Sequence, residues 1–248
     1  MLFILFFLFL GPSFAFLMQS QHYKIPYDSL NIGGESQASL RYKMEDTIGE
    51  ISSGILTSSF FKIKSGYQFS QAIYLAISVP SQIELLPPIP GLSGGQSNAT
   101  VTVNLITDNP AGYTLFVKAT SSPALLCQSQ CQVGIDHFDD YLPQNPQIPD
   151  FQWQVASGQA KFGFTPEGES IIQKYKDNGT VCNSGGNDTP LACWNGFSTS
   201  NETIAQSFQS NHPDGTQINL RLRAECGSNC FQPAGIYQAT LILTLVPN

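Results

Sequence analysis

Apolar and polar residues alternate along the end of the chain. Between Gly235 and Asn248, one apolar set recurs at every second position. Only an extended strand collects residues with this period on one face. The pattern therefore predicts that the chain ends in a long strand that is tucked into a sheet. The members of this set are Tyr237, Ala239, Leu241, Leu243 and Leu245.

The same period of two recurs upstream, between turn-forming segments rich in Gly, Pro, Asn and Asp. Seven or more short strands of this kind predict an all-β fold, and we expect an Ig-like or Greek-key β-sandwich. The first strand of the sandwich is the expected partner of the last one. The upstream strands are predicted at Ile73–Val79, Ala99–Leu105, Tyr113–Ala119, Phe151–Val155, Ala160–Phe164 and Ile218–Ala224, and Cys127–Pro149 is predicted to be a long loop.

One short helix is predicted within this β pattern. Thr165 is a typical helix cap, and Pro166 suits the first helical position. Ile171, Ile172 and Tyr175 follow at helical spacing, and Asn178-Gly179 is a stop signal. The sequence therefore predicts one helical segment after the strand that contains Phe164.

The N-terminus has the pattern of a secretory leader. Leu2 to Leu10 is an unbroken apolar run, and Ser13-Phe14-Ala15 supplies small residues for cleavage. The run is shorter than the roughly 20 residues that cross a bilayer. We therefore predict a signal peptide at residues 1–15, a mature chain that begins near Phe16, and a secreted or cell-surface protein with no transmembrane segment after cleavage.

The segment after the leader contains a weak internal repeat. Ser39–Met44 aligns with Ser58–Ile63, and glycines lie between the two copies. Two strand-like units joined in this way predict a hairpin-like β extension at residues 16–66. The β-sandwich domain then occupies residues 67–248.

Composition and charge exclude some classes of partner. Charged residues make up 12% of the chain, and the formal net charge is −7. Nucleic acid and anionic membranes bind proteins through clustered Lys and Arg. The sequence has no such cluster, so we expect neither as a partner.

The six cysteines fall into three close pairs. Export to an oxidising compartment favours disulfides within each pair, although six cysteines allow 15 connectivities. A zinc site made by the two C-x3-C pairs is the alternative, because zinc sites use that spacing. The pairs are Cys127 with Cys131, Cys182 with Cys193, and Cys226 with Cys230.

Two segments resemble the WxL domain of Gram-positive surface proteins. Gly112-Tyr113-Thr114-Leu115 is similar to the first Gly-Trp-x-Leu strand of that family. Ala234-Gly235-Ile236-Tyr237, with Leu243-Thr244-Leu245, resembles the closing strand. Tyr113 and Leu243 replace the two signature tryptophans, so the resemblance implies an exported β-sandwich and does not bring peptidoglycan binding to these positions. The whole chain also resembles uncharacterised secreted proteins of small-genome uncultivated bacteria.

Two motifs suggest catalysis. Gly91-Leu92-Ser93-Gly94-Gly95 matches the nucleophile elbow of α/β-hydrolases, which needs a strand before the serine and a helix after it. A Pro-rich loop precedes Ser93 and a strand-like segment follows it, so a plain loop is the better interpretation. A glycosidase would need two carboxylates, drawn from Glu84, Glu167, Glu169, Asp177 and Glu202.

Two further groups suggest ligand binding. Asp136, Asp139 and Asp140 are candidate calcium ligands on a loop, although they lack the spacing of a calcium-binding ladder. Trp194 and Phe197 follow Cys193 and are candidates for stacking on sugar rings. The competing interpretations are solvated acids for the first group and core packing for the second.

These observations predict an exported, non-enzymatic protein of the cell envelope or surface, with a structural or adhesive role and no cofactor. Its expected partners are cell-wall or surface glycans, or other envelope proteins. The alternative is a secreted carbohydrate-binding module or carbohydrate-active enzyme. A cleft that gathers acids and aromatic rings would favour that alternative.

Overall fold

The computed structural model describes residues 73–248 throughout and, before them, only the backbone of six short strands. The chain divides into two compact units, Met1–Ala72 and Ile73–Asn248. The predicted leader at residues 1–15 and the predicted start of the mature chain at Phe16 lie outside the described residues.

The first unit contains three antiparallel strand pairs of similar spacing. The second strand of each pair begins at a lysine, at positions 24, 43 and 62, which are 19 residues apart. An aromatic residue precedes each lysine, and Ile or Met follows it. The repeat therefore has a third copy, at Tyr23-Lys24-Ile25, beyond the two that the sequence predicted. The strands are β1 (Met18–Gln19), β2 (Lys24–Ile25), β3 (Ser36–Ala38), β4 (Lys43–Glu45), β5 (Gly54–Thr57) and β6 (Lys62–Ser65).

The second unit is built from strands, which confirms the all-β prediction. The one helical element in its described elements is a single 3-10 turn, Gln173–Tyr175, and no described helix is long and apolar enough to cross a membrane. The strands are β7 (Leu75–Ser78), β8 (Gly95–Thr107), β9 (Tyr113–Ala119), β10 (Leu125–Ser129), β11 (His137–Asp140), β12 (Ala160–Glu167), β13 (Asn195–Gly196), β14 (Glu202–Ser207), β15 (Thr216–Cys226), β16 (Ile236–Gln238) and β17 (Leu241–Pro247).

These strands form two sheets around one core. The larger sheet has the order β16-β10-β11-β12-β15-β8-β7 and curls into a half-barrel, with β13 added beside β12. Its β11–β12 pair is parallel, unlike the all-antiparallel pairing of an Ig-like sheet. The smaller sheet has the order β14-β9-β17. Alternate residues of both sheets meet in a shared core that includes Val103, Leu115, Phe164, Ile204 and Leu220.

The predicted pairing of the first and last strands is wrong. β7 pairs with β8, and β17 pairs with β9 in a register that sets Leu245 opposite Leu115. The period-two pattern identifies the buried face of a strand, but it says nothing about which strand lies along each hydrogen-bonding edge. Several strands here have equivalent apolar faces, so the pattern could not choose between them.

Two predicted elements around β12 are also corrected. Thr165 and Pro166 continue β12, where Pro166 lies opposite Leu220, so no helix begins there. The Thr165 hydroxyl donates to the backbone oxygen of Ala192 at 2.5 Å, which is the role of a strand residue held by a neighbouring loop. Residues 151–155, predicted to form a strand, are irregular, and β11 lies inside the predicted 127–149 loop.

Three disulfides confirm the predicted pairing within each close pair: Cys127–Cys131, Cys182–Cys193 and Cys226–Cys230. All six cysteines are bridged. Proteolytic mass mapping under non-reducing conditions should therefore find three local bridges and no thiol that reacts with iodoacetamide. Stoichiometric zinc, together with four reactive thiols at positions 127, 131, 226 and 230, would contradict this prediction.

Candidate functional site

The open side of the half-barrel carries an apolar groove, and one of its walls is the connection between β7 and β8. The part of this connection that forms the wall, residues 79–91, is rich in proline, which prevents it from continuing as a strand. Leu86 and Asn98 exchange two backbone hydrogen bonds, at 3.0 and 2.9 Å, which tie the connection to β8. Ile83, Leu85 and Ile89 pack against the core from this wall.

The opposite wall is formed by residues 232–243. The amide of Gln232 donates to the backbone oxygen of His137 at 3.2 Å, and the Tyr237 hydroxyl donates to the Pro233 oxygen at 2.9 Å. Burial raises the pKa of the Tyr237 hydroxyl, so this group stays a donor at neutral pH. Gly235 lies against the Cys127–Cys131 bridge, where a Cβ atom would meet the Cys131 sulfur. The disulfide therefore braces this wall.

The groove has a volume of about 780 Å³ and is lined mainly by Val, Ile, Leu, Pro and aromatic side chains. Glu84 is the single charged residue among the described residues that line it. At its rim, Ile77 and Val79 are 39% and 41% exposed. Such a surface suits the burial of a neutral, apolar partner and provides little for binding a charged one.

Trp194 and Phe197 lie inside the protein. They are only 1% and 5% exposed, and Phe197 packs on Phe162 and Phe164. The indole nitrogen of Trp194 donates to the backbone oxygen of Leu191 at 2.8 Å. Neither ring presents a face to a sugar, because Phe197 belongs to the core and Trp194 is buried against Trp153 and Arg223.

An aromatic cluster that the sequence did not reveal covers the outer face of the larger sheet. Trp153 stacks on Tyr141 with 4.3 Å between ring centroids and meets Trp194 edge-on at 5.0 Å. The guanidinium of Arg223 lies 4.6 Å from the Trp194 centroid and 5.7 Å from that of Trp153. Burial lowers the pKa of Arg223, yet the group stays charged and interacts with both rings. Gly163 lies beneath Trp153 and leaves room for its ring.

The three candidate calcium ligands do not converge. Asp136 accepts a hydrogen bond from the Gln132 backbone at 2.7 Å, and Asp139 lies 3.2 Å from the Lys161 amine. The side chain of Asp140 lies on the opposite face of β11 from that of Asp139, because successive residues of a strand face opposite sides of the sheet. It accepts bonds from Ala124 and Ser122, and burial raises its pKa. The structure therefore gives each carboxylate a separate structural partner.

In the described residues, neither catalytic motif makes the contacts that its chemistry would need. Ser93 lies in an exposed turn just before β8, so no helix follows it. Of the described histidines, His137 contacts Ile135 and Asp139, and His212 contacts Tyr74. Glu167 binds Arg221 at 2.8 Å and Glu202 binds Lys174 at 2.6 Å, so these carboxylates serve as ion-pair partners within the fold.

Asp177 is a fully buried carboxylate that organises the loop closed by Cys182–Cys193. It accepts hydrogen bonds from the Thr189 backbone at 3.0 Å, the Thr189 hydroxyl at 2.9 Å and the Gly179 backbone at 2.7 Å. Burial by itself would raise its pKa, but these hydrogen bonds outweigh that effect and lower it. The carboxylate therefore stays ionised and ties Thr189, within the loop, to Gly179 just before it.

This lowered pKa predicts how stability depends on pH. A carboxyl group whose pKa is lower in the folded state than in the unfolded state stabilises the folded protein. This stabilisation is complete at pH values above the pKa of the unfolded state, about 3.9, and it is lost as the pH falls through the pKa of the folded state. The difference in unfolding free energy between wild type and Asp177→Asn should therefore be constant above about pH 5 and shrink below about pH 4. Urea unfolding of both proteins from pH 2.5 to 7 measures this difference, and a difference that grew on acidification would contradict the assignment.

Comparison of the chain with protein-family models, with curated proteins and with solved structures finds no match. The resemblance to WxL domains therefore stays a prediction. In the structure, the predicted long closing strand is divided between the two sheets. Its Tyr237 lies in β16 and pairs with β10, whereas Leu245 in β17 lies opposite Leu115 in β9. No sequence pattern predicts the groove, because its two walls, residues 79–91 and 232–243, are distant in the chain.

Proposed function

We propose that this protein is an exported, non-enzymatic component of the cell envelope or surface, with a structural or adhesive role. The observation that carries the proposal is the apolar groove, through which side chains of the core such as Phe138 and Leu222 line an open cleft of about 780 Å³. Apolar clefts of this volume are typical binding sites. The groove is flanked by β17, which pairs on one side with β9 and has no second strand partner among the described residues.

Three further features support export and a surface location. Disulfides form and persist in oxidising compartments outside the cytosol, and all six cysteines are bridged. The predicted leader and the acidic charge of −7 agree with secretion and with a partner other than nucleic acid.

The alternative is a secreted carbohydrate-binding module or carbohydrate-active enzyme, and one observation favours it. A polar hollow of about 360 Å³ lies beside the aromatic cluster. Amide and carboxylate side chains next to an aromatic ring are the groups that bind sugar hydroxyls. The hollow is lined by Gln144, Asp150, Phe151, Gln152, Gln154, Gly179 and Thr180.

Co-sedimentation separates the two proposals. The full chain is mixed with bacterial envelope fragments, with the same fragments stripped of protein by protease and detergent, and with a soluble glycan panel. Retention on intact fragments, without release of reducing sugars, supports the first proposal. Retention on stripped fragments that a soluble glycan displaces, or release of reducing sugars, would overturn it in favour of the alternative. Absence of retention on any material would contradict both.

A further inference from the structure

The last strand leaves one long side without a strand partner. Among the described residues, β17 is hydrogen-bonded to β9 only, and it forms the edge of its sheet. Its sequence, Leu-Ile-Leu-Thr-Leu-Val-Pro, contains no charged residue. Proteins usually protect an exposed edge with lysines, bulges or a covering segment, because unpaired backbone groups attract other strands. The proline at the end of β17 is its one protective residue.

The hydrogen bonds next to β17 show which of its backbone groups are unpaired. The Thr120 amide donates to the Thr240 oxygen at 3.0 Å, and the Asn248 amide donates to the Gly112 oxygen at 3.2 Å. Hydrogen-bonded positions alternate along an antiparallel pair. The even-numbered residues of β17 therefore bond to β9, and Leu241 and Leu243 direct their N–H and C=O groups to the free side.

The free side of β17 opens into the apolar groove. Leu241 and Leu243 both line the groove, opposite Ile77 and Val79 at the end of β7. β7 lies beside β17 but is hydrogen-bonded to β8. Unpaired peptide groups and an apolar cavity thus occupy the same place. A strand binds through these two features together: its backbone completes the sheet, and its alternate side chains fill pockets.

We infer that the groove binds an extended segment of another polypeptide, which adds as a strand to β17. This inference rests on the proposed function and names its partner. The segment pairs with the backbone of Leu241 and Leu243 and places every second side chain in the groove. Glu84 is the one charged lining residue described, so the segment is neutral or basic there.

The geometry favours a single extended segment over other occupants. A lipid chain would fill the apolar volume but would leave the peptide groups of Leu241 and Leu243 without partners, which is unfavourable once water is displaced. The edge of a second folded copy would need β7 and the 79–91 connection to move away, because both flank the groove. An extended peptide needs only the width of one added strand, so it displaces less of β7 than the edge of a folded copy does.

Fluorescence polarisation with a labelled peptide tests this inference on the full, oxidised chain. The probe is acetyl-Lys-Thr-Val-Thr-Val-Thr-Val-Thr-Lys-amide. Two matched peptides carry N-methyl groups on every valine or on every threonine, so that each blocks one hydrogen-bonding edge and keeps all side chains. We expect the parent peptide to bind and one methylated peptide to bind about tenfold more weakly, because two or three backbone hydrogen bonds are lost. Equal binding of all three, or no binding of the parent, would overturn the inference.

A pair of variants locates the binding. Val79→Glu introduces a charge at the rim of the groove, and Val181→Glu introduces the same change at an exposed position, 51% exposed, outside the groove. We expect about tenfold weaker peptide binding for Val79→Glu and unchanged binding for Val181→Glu. Equal effects of the two variants would contradict the location. Light scattering that shows a dimer disrupted by Val79→Glu would also overturn the inference, because a second copy would then be the occupant.

The envelope assay distinguishes a failure of this inference from a failure of the proposed function. If the protein is retained on intact envelope fragments but no peptide binds, the strand-addition inference is wrong and the surface role stands. If the peptide binds and the protein is not retained on any envelope material, the groove binds strands but the proposed envelope role is wrong.

Discussion

Replacing Asp177 with alanine should lower the free energy of unfolding by about 3 kcal/mol, because three donors lose a buried, ionised acceptor. The backbone amide and hydroxyl of Thr189 and the backbone amide of Gly179 converge on this one carboxylate. The Cys182–Cys193 bridge keeps the loop closed in the variant. The loss therefore reports the hydrogen bonds and not the opening of the loop.

Urea unfolding at pH 7 measures this effect, and Asp214→Ala is the matched control. Asp214 is exposed on another loop and accepts no hydrogen bond from the described residues. We expect its replacement to change the unfolding free energy by less than about 0.5 kcal/mol. Equal effects of the two substitutions would show that Asp177 has no special role in the loop.

Replacing Gly163 with alanine should also destabilise the protein, by about 3 kcal/mol, although alanine is ordinarily better than glycine in a strand. An added Cβ would lie 2.6 Å from the Asn195 backbone oxygen, 2.8 Å from the Tyr141 Cβ and 3.0 Å from the Trp153 ring. Two of these neighbours are close to or part of the backbone and have little freedom to move. The clash therefore exceeds the gain in strand propensity.

Gly158→Ala separates crowding from a general glycine effect. Gly158 lies in a turn where an added Cβ would meet nothing within 4 Å. Thermal unfolding followed by near-UV circular dichroism reports both stability and the packing of Trp153. A stable Gly163→Ala protein with an unchanged aromatic spectrum would contradict the described packing of Trp153 over β12.

The sequence predicted those parts of the fold that depend on local chemistry. The alternating faces of β8, β9, β15 and β17 were identified because burial selects apolar residues at every second position. The local disulfides followed from proximity and compartment. Strand neighbours were not predictable, because the hydrogen-bonding edges of a strand consist of backbone that is the same in every residue. Thr165-Pro166-Glu167 was misassigned because its cap signal is local, whereas its partner strand β15 is more than 50 residues away in sequence.

The candidate site was less accessible to sequence reasoning. Trp194 and Phe197 follow a disulfide cysteine, which makes them candidates for sugar binding, yet both side chains are buried. The alternation of Phe151, Trp153 and Val155 predicts a strand, and nothing in this pattern indicates that Trp153, which is partly exposed, belongs to an aromatic cluster. The groove forms because residues 79–91 lie close to the first residues of β17, and this proximity depends on the register of two sheets. A sequence pattern does not show which distant segments lie close together.

The free edge is the surface through which the proposed attachment role would act. The groove and the unpaired groups of Leu241 and Leu243 lie outside the interactions that hold β8, β12 and β15 together. Occupying them adds hydrogen bonds and apolar burial without rearranging the fold. The proposed strand addition is therefore compatible with the fold as it stands.

Hydrogen exchange along β17 tests the central claim, namely that this edge is free and receives a strand. In the isolated protein, the amides of Leu241 and Leu243 should exchange on the order of 100-fold faster than those of Ile242 and Thr244, which bond to β9. Addition of the threonine–valine peptide should slow exchange at Leu241 and Leu243 and leave Ile242 and Thr244 unchanged. Uniform protection of all four amides in the isolated protein, or no change at Leu241 and Leu243 with saturating peptide, would contradict the account.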